Sequence, residues 1–254
     1  MDLGWSDDVV GLAAGAPVPA SYAGRFLAAP GGYPSASRWA PPRCTSEVAE
    51  PRDAAAAVAH QVALGASVVK VTLNRDAGPV PDVGTLAAVV HAAGEAGLPV
   101  VAHAQGPGMV ELALAGGVGA LAHTPWTHRL DGEVLAEAAE AGQAWVSTLD
   151  IHGYGASSPD QVRAVANLAG FRTAGGRVLY GTDLGNGPLP ATLNLRELGL
   201  LLDAGLTDAD VLASLSDPWP FTQQPTGDQT DVPEGPEPLL DRLAHARVVR
   251  VEHR

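Results

Sequence analysis

The chain has 254 residues, enough for one (β/α) barrel or two small domains with a sizeable core. Its 15 Lys plus Arg against 28 Asp plus Glu give a formal net charge of −13, which argues against nucleic acid or an anionic membrane as main partner. One cysteine, Cys44, excludes an intramolecular disulfide framework and any multi-thiolate metal site.

In chain order, strand-like apolar runs are expected at residues 2–5, 20–27, 67–73, 99–104, 120–123, 144–149 and 177–182. Helical patterns fall between them, among others at 82–96, 107–115, 131–141, 158–174 and 191–203. Ser158-Pro159-Asp160-Gln161 reads as a capping box with proline at the first helical position. Asp82 and Thr207 are candidate N-caps, and Gly97, Gly142 and Gly205 candidate stops. Strict alternation of strand and helix implies right-handed crossovers and a parallel sheet, doubly wound or closed into a barrel. Residues 28–52 read as a long irregular excursion. No glycine fingerprint for a dinucleotide or phosphate loop occurs. From residue 216 the texture changes: 217–238 is expected to be a wandering loop, followed by a short helix at 239–246 and a strand at 248–251 without an obvious partner.

The basic residues are uneven, since fourteen are arginine and a single lysine, Lys70, sits inside the apolar run 67–73. His103 and His123 end the next two strand runs, and Asp183 follows the last. In parallel α/β folds ligands bind at strand C-terminal ends, so four polar residues from four strands converge on one mouth. Two imidazoles, a carboxylate and an amine able to become a carbamate suit Zn²⁺ or a similar borderline metal. Blander roles stand beside these: Asp183 as the cap of a turn, Lys70 snorkelling to the rim or ion-paired with Asp183, each histidine a satisfied polar residue. His60, His91, His245 and His253 are read as structural, and His128 as ambiguous. His152, just past the run 144–149, faces the mouth.

Lys70 in Ser67-Val68-Val69-Lys70-Val71, His103 in Val100-Val101-Ala102-His103-Ala104, His123 in Gly119-Ala120-Leu121-Ala122-His123 and Asp183 in Leu179-Tyr180-Gly181-Thr182-Asp183 together resemble the amidohydrolase superfamily, in its imidazolonepropionase-like and prolidase-like branch. Asp2-Leu3-Gly4, Ala29-Pro30-Gly31-Gly32 and Ala204-Gly205-Leu206-Thr207 are similar to other segments of that branch, so the likeness covers residues 2–215. It implies an α/β fold, a (β/α)₈ TIM-type barrel missing its first strand, with seven strands and a remnant of a small β-sandwich at the C-terminus. The barrel would occupy 1–216 and the remnant 217–254. The resemblance further implies a metal-dependent hydrolase of C–N bonds in an amide, cyclic amide or N-acyl amino acid, acting through a metal-bound hydroxide. Lys70 would carry a CO₂-derived carbamate that bridges two divalent metals; one or two ions are expected, with zinc as the expected metal. His103 and His123 would bind the more exposed ion, and Asp183 the other while taking the water's proton. Burial of the Lys70 amine favours the deprotonated form that CO₂ requires.

The family's H-x-H strand has no counterpart, since the sequence holds no H-x-H. Either the start codon lies further upstream, adding roughly 50 to 80 residues, or the product is truncated. A barrel short of a strand exposes two edges and is expected to be poorly stable as a monomer. Three functional readings follow: an active hydrolase, a catalytically inactive binding or interaction domain, and a metal-free barrel using Lys70 as a Schiff base. Tyr33, Trp126, His152 and Tyr154 are expected to bind substrate, Trp126 pointing to an apolar or ring-bearing one. With no run of roughly 18 apolar residues and no basic, apolar leader at residues 1–8, a soluble cytoplasmic protein is expected, with a small-molecule substrate and possible homo-oligomerisation.

Overall fold

The computed structural model describes residues 1–17, 19–220 and 229–249. Its short apolar runs form β1 (Phe26–Ala28), β2 (Thr45–Glu47), β3 (Val69–Asn74), β4 (Val100–Gln105), β5 (Ala120–Leu121), β6 (Ala144–Val146) and β7 (Arg177–Leu179). They build one all-parallel sheet in the order β2-β1-β3-β4-β5-β6-β7, which does not close. The result is the barrel-like α/β architecture expected, with β2 and β7 as edges.

The number of strands agrees with expectation, but one member differs. Residues 2–5 form no strand and contribute only a bridge from Asp2 to Tyr22. There the Asp2 carboxylate accepts from the Gly4 amide at 3.0 Å, and Gly4 turns at φ 143° with the Phe26 ring where a Cβ would stand. The seventh strand is instead β2, from the stretch expected to be irregular, which pairs Thr45 with Phe26. Its Thr-Ser-Glu sequence is half-exposed and carries no apolar alternation to read. The run 20–27 becomes a strand only at Phe26. Three other strands stop short of expectation: β5 at Leu121, β6 at Val146 and β7 at Leu179.

Helices α1 (Val9–Ala14), α2 (Ala54–Leu64), α3 (Val83–Glu95), α4 (Met109–Ala115), α5 (Gly132–Glu140), α6 (Pro159–Thr173), α7 (Leu195–Asp203) and α8 (Asp208–Ser216) flank the sheet. Asp82 accepts from the Thr85 amide at 2.7 Å and starts α3. Thr207 and Asp210 cap α8 reciprocally. Ser158 accepts from the Gln161 amide at 3.1 Å, one half of the expected box, with Pro159 opening α6. Gly97, Gly142 and Gly205, at φ 72°, 68° and 86°, terminate α3, α5 and α7. Helix α4 starts two residues later than its pattern because Gly106 and Gly108 both turn left-handed, at φ 96° and 80°. Helix α7 waits for Asn194, whose side chain accepts from the amides of Arg196 and Glu197.

Side chains alternate along β3, and both faces are buried, as a helix-covered parallel sheet requires. Val69, Val71 and Leu73 pack outward with Leu86, Leu135, Phe171 and Leu198 of the helices. Trp145 and Phe171 stack at 3.9 Å in that layer, and Gln143 accepts from the indole Nε1 at 2.8 Å. The inner face carries a second cluster of small residues: Val68, Val101, Ala120, Ala144, Val146 and Leu179. Lys70, Thr72 and Asn74 occupy the alternate positions of β3.

The chain continues as β8 (Gln229–Asp231), α9 (Leu239–Ala244) and β9 (Arg247–Val249). The terminal strand expected at 248–251 has a partner after all, because β9 pairs antiparallel with β8, in a segment read as loop. Residues 221–228 of that loop, residues 250–251 of the strand and His253 lie outside the described residues. Leu239 and Leu243 of α9 join the outer core. Among the described residues no helix is long and apolar enough to cross a membrane.

Candidate active site

Lys70 is the second residue of β3, only 3% exposed, and does not reach the rim. Burial pulls its amine down to about 7, against the opposing charges of Asp183 and Asp2. His103 lies two residues before the end of β4, on the face that also carries Val101. Its Nε2 is 3.2 Å from Gln105 Oε1 and 3.3 Å from Asn74 Nδ2, and Asn74 also donates to Gln105 at 2.9 Å. His123 follows β5 where the chain bends, and its Nδ1 meets Thr148 Oγ1 at 3.0 Å. Burial holds both imidazoles well below 6.5; His123 and Lys70 add to the effect on His103, and Lys70 and His152 to that on His123. The two rings stand 5.2 Å apart at 81°.

Asp183 is four residues beyond β7, at φ 54°. Its carbonyl accepts from the Asn186 amide and its Oδ2 from Asn186 Nδ2, both at 3.0 Å. It therefore caps a turn and lines a cavity at once. That cavity, of about 260 Å³, is shared by His103, His123 and Asp183 and by all four residues expected to bind substrate, Tyr33, Trp126, His152 and Tyr154. Tyr33 stacks on His103 at 5.0 Å, and Trp126 lies edge-on to both His103 and His123. Trp126 also contacts His152 at 4.9 Å. Burial takes His152 down to about 4, and its Nε2 is buried with no partner among the described residues.

Several contributors escaped the sequence reading. Asn74 and Gln105 stand on the same strand faces as Lys70 and His103, four and two residues on, and that alternation was their only signal. Thr148 at φ 47° and Asn186 sit in loops without a pattern. Behind the site, Glu197 of α7 is fully buried and accepts from the amides of Leu149 at 2.9 Å and Asp150 at 2.7 Å. Burial pushes its carboxyl up to about 7, opposed by bonds from Ser147, Leu149 and Asp150. Asp150 accepts from Asn194, Gly155 and Arg196 at 2.8, 3.0 and 2.9 Å. Together these fix the loop carrying Thr148 and His152 to the start of α7. His60, His91, His128 and His245 stand away from the cavity lining.

Among the described residues no three His, Cys, Asp or Glu side chains are close enough to share one metal ion. The histidine pair with Lys70 nearby is what the structure brings together, Asp183 standing at the same cavity.

Several solved structures share this arrangement of strands and helices. A Xaa-Pro dipeptidase with bound methionine superposes with a TM-score of 0.66 at 19% identity, covering 82% of this chain. The fold is that of the amidohydrolases. The ochratoxinase of A. niger gives 0.65 at 20% identity over 85% of this chain, and the bottromycin amidohydrolase 0.57 at 19% over 84%. This chain spans 58%, 58% and 59% of the length of those three proteins. No family model and no curated protein matches the sequence.

Proposed function

We propose that the chain hydrolyses the carbon–nitrogen bond of a small amide, cyclic amide or N-acyl amino acid. The observation that carries this reading is the single cavity that His103, His123 and Asp183 line above a buried, weakly basic Lys70 in a chain with the amidohydrolase fold. In the reaction, water gives its hydroxyl to the carbonyl carbon, the C–N bond breaks, and a proton goes to the leaving nitrogen. Asp183 is the base at the cavity: a carboxylate oxygen takes the water's proton and passes it to that nitrogen.

The histidine pair fits a divalent ion such as zinc. Each ring is neutral near pH 7 and has one nitrogen fixed, by Gln105 or Thr148, which is how ligand imidazoles are oriented. The other nitrogen of each has no hydrogen-bond partner among the described residues. Lys70 supplies a third ligand after its free amine adds CO₂ and releases a proton, leaving a carbamate. When bound, the metal supplies Lewis acidity at the amide carbonyl. Tyr33 and Trp126 hold the substrate's apolar part against the histidines, and the buried loop anchored by Glu197 keeps His123 in register through Thr148.

A second reading, a catalytically inactive binding domain, draws on the absence, among the described residues, of a third imidazole or carboxylate close enough to share an ion with the pair. Purified chain incubated with zinc and bicarbonate separates the two. The hydrolase reading expects stoichiometric zinc, lost in His103→Ala and His123→Ala, and amine release from a panel of amides. Neither metal retention nor hydrolysis leaves the binding domain.

A further inference from the structure

The last residues of β3 and β4 pair across the sheet, Asn74 opposite Gln105, and with His103 two residues earlier they put three polar side chains on one face. Their hydrogen bonds form a chain whose first link leaves no choice. The Ala77 amide, which can only donate, gives to Asn74 Oδ1 at 3.1 Å. Asn74 therefore turns Nδ2 the other way, and Nδ2, also a donor only, meets Gln105 at 2.9 Å. The Gln105 atom there must be the acceptor, Oε1. His103 Nε2 stands 3.2 Å from that oxygen and 3.3 Å from Asn74 Nδ2. A neutral imidazole carries its proton on one nitrogen or the other, so Nε2 either donates to Gln105 or accepts from Asn74.

Geometry separates the two. Nδ2, Oε1 and Nε2 form a nearly equilateral triangle of 2.9, 3.2 and 3.3 Å, with a corner of about 60° at Nδ2. The two hydrogens of an amide stand about 120° apart, so Asn74 aims one well at Gln105 and none at His103. A carbonyl oxygen has two lone pairs and accepts over a broad range of directions, so Oε1 takes straight bonds from both neighbours. An unprotonated Nε2 would instead face Oε1 lone pair to lone pair at 3.2 Å. The proton belongs on Nε2. The other ring nitrogen, Nδ1, then bears the lone pair; it is unpaired among the described residues yet not sealed, in a ring that lines the cavity. His123 has no such director, because the Thr148 hydroxyl at its Nδ1 can give or take a proton.

We infer that Asn74, acting through Gln105, fixes the tautomer of His103 and so decides which ring nitrogen faces the cavity: Nε2 is protonated and Nδ1 is the free ligand atom. Asn74 and Gln105 are positioning residues, working through the imidazole. The tautomer is a property of the metal-free chain, and it rests on the hydrolase reading above only for the use made of Nδ1.

The experiment reads the tautomer directly, by two-bond proton–nitrogen correlation spectra of the isotope-labelled full chain at pH 8, stripped of metal with a chelator. His103→Ala identifies the His103 signals by their loss. Wild type should show Nε2 protonated. Gln105→Leu takes away the acceptor and frees an Asn74 hydrogen for Nε2, so His103 should switch to the Nδ1–H form. Gln105→Glu keeps an acceptor and should keep the wild-type form, and His123 should hold its own tautomer in both variants. Asn74→Leu, which lets the Gln105 amide turn either way, should populate both forms of His103. An Nδ1–H ring in wild type overturns the inference, as does an Nε2–H ring that survives Gln105→Leu or stands alone in Asn74→Leu. Zinc titration run alongside tells this apart from the hydrolase reading: Gln105→Leu should bind zinc about 10–100-fold more weakly than Gln105→Glu, since its Nδ1 carries a proton. The expected tautomers with no zinc bound by any variant sustain the inference and remove the metal site. Zinc bound by a wild-type chain whose metal-free form is Nδ1–H does the reverse.

Discussion

Replacing Glu197 by glutamine gives a sharp test of how the loop behind the site is held. The carboxyl is fully buried, accepts two backbone amides of the loop, and is raised from 4.5 to about 7, mainly by burial. Between those values the folded chain keeps a proton that the unfolded chain has released, so Glu197 costs stability as pH rises through the window. A rise of this size, at about 1.4 kcal/mol per pH unit, amounts to on the order of 3 kcal/mol. Glutamine keeps the shape and one acceptor and does not titrate. Glu197→Gln should therefore be no more stable than wild type at pH 4 and gain on it by about 3 kcal/mol by pH 7.5. The readout is urea unfolding at half-unit steps of pH, taken as the difference between the two proteins. The difference matters, because the buried histidines pull the other way: their lowered values make stability rise with pH up to 6.5. They are common to both proteins and cancel. A flat difference would mean that Glu197 is ionised throughout and that its two amide bonds offset burial, which would refute the reasoning.

The outer core makes a simpler claim. Phe171→Ala removes the partner of the Trp145 stack from a site with no exposure and should cost about 3–5 kcal/mol by chemical denaturation. Gly176→Ala should cost about 1–3 kcal/mol in the same assay, because a Cβ there collides with the Phe171 ring. His152, held neutral down to about 4, contributes stability at pH 7 that is lost as pH falls from 6.5 toward 4. His152→Asn should flatten that loss in melting curves taken at pH 4.5 and 7, and an unchanged slope would mean that His152 is protonated in the folded chain.

The strand-borne half of the site was legible because a parallel strand writes its inner face into the sequence at every second residue. Lys70 stood out as the single lysine in an apolar run, and His103 continued the same logic one strand over. Both stand on adjacent paired strands, with Thr72 opposite His103, but Lys70 is the second residue of β3 and lies below the cavity, not at the C-terminal mouth where the reasoning put it. The helix boundaries that carried a side-chain cap, at Asp82 and Thr207, were legible for the same local reason. What lacked a period was not legible. Strand β2 is a polar edge strand whose identity depends on pairing with Phe26, a contact nineteen residues back along the chain. Glu197 carries no signal in the sequence beyond its place in a helical stretch, and only the loop beneath it makes it a buried acceptor. Asp183 was found as a residue after a strand, but its reach into the cavity is set by the turn with Asn186, which no spacing announces.

That turn and its neighbour share a feature with a measurable consequence. Thr148 and Asp183 both adopt a left-handed backbone, at φ 47° and 54°, on loops that follow adjacent strands β6 and β7. For Asp183 the conformation is tolerable, since a short acid bonds locally. For a β-branched threonine it is costly, of order 1–3 kcal/mol, and persists only where the surroundings fix it. The compensating contact is Thr148 Oγ1 on His123 Nδ1, backed by the Thr148 amide on the Gly181 carbonyl. Thr148→Ala removes the hydroxyl and keeps the strain, whereas Thr148→Gly removes both. Glycine should therefore be more stable than alanine here by about 1 kcal/mol, the reverse of their usual order. In both variants the His123 ring resonances should shift, because Nδ1 has lost its partner, and thermal melts with proton spectra of the imidazoles record both effects. If alanine proves the more stable, the backbone at Thr148 is not strained, and the hydroxyl alone explains why threonine holds His123.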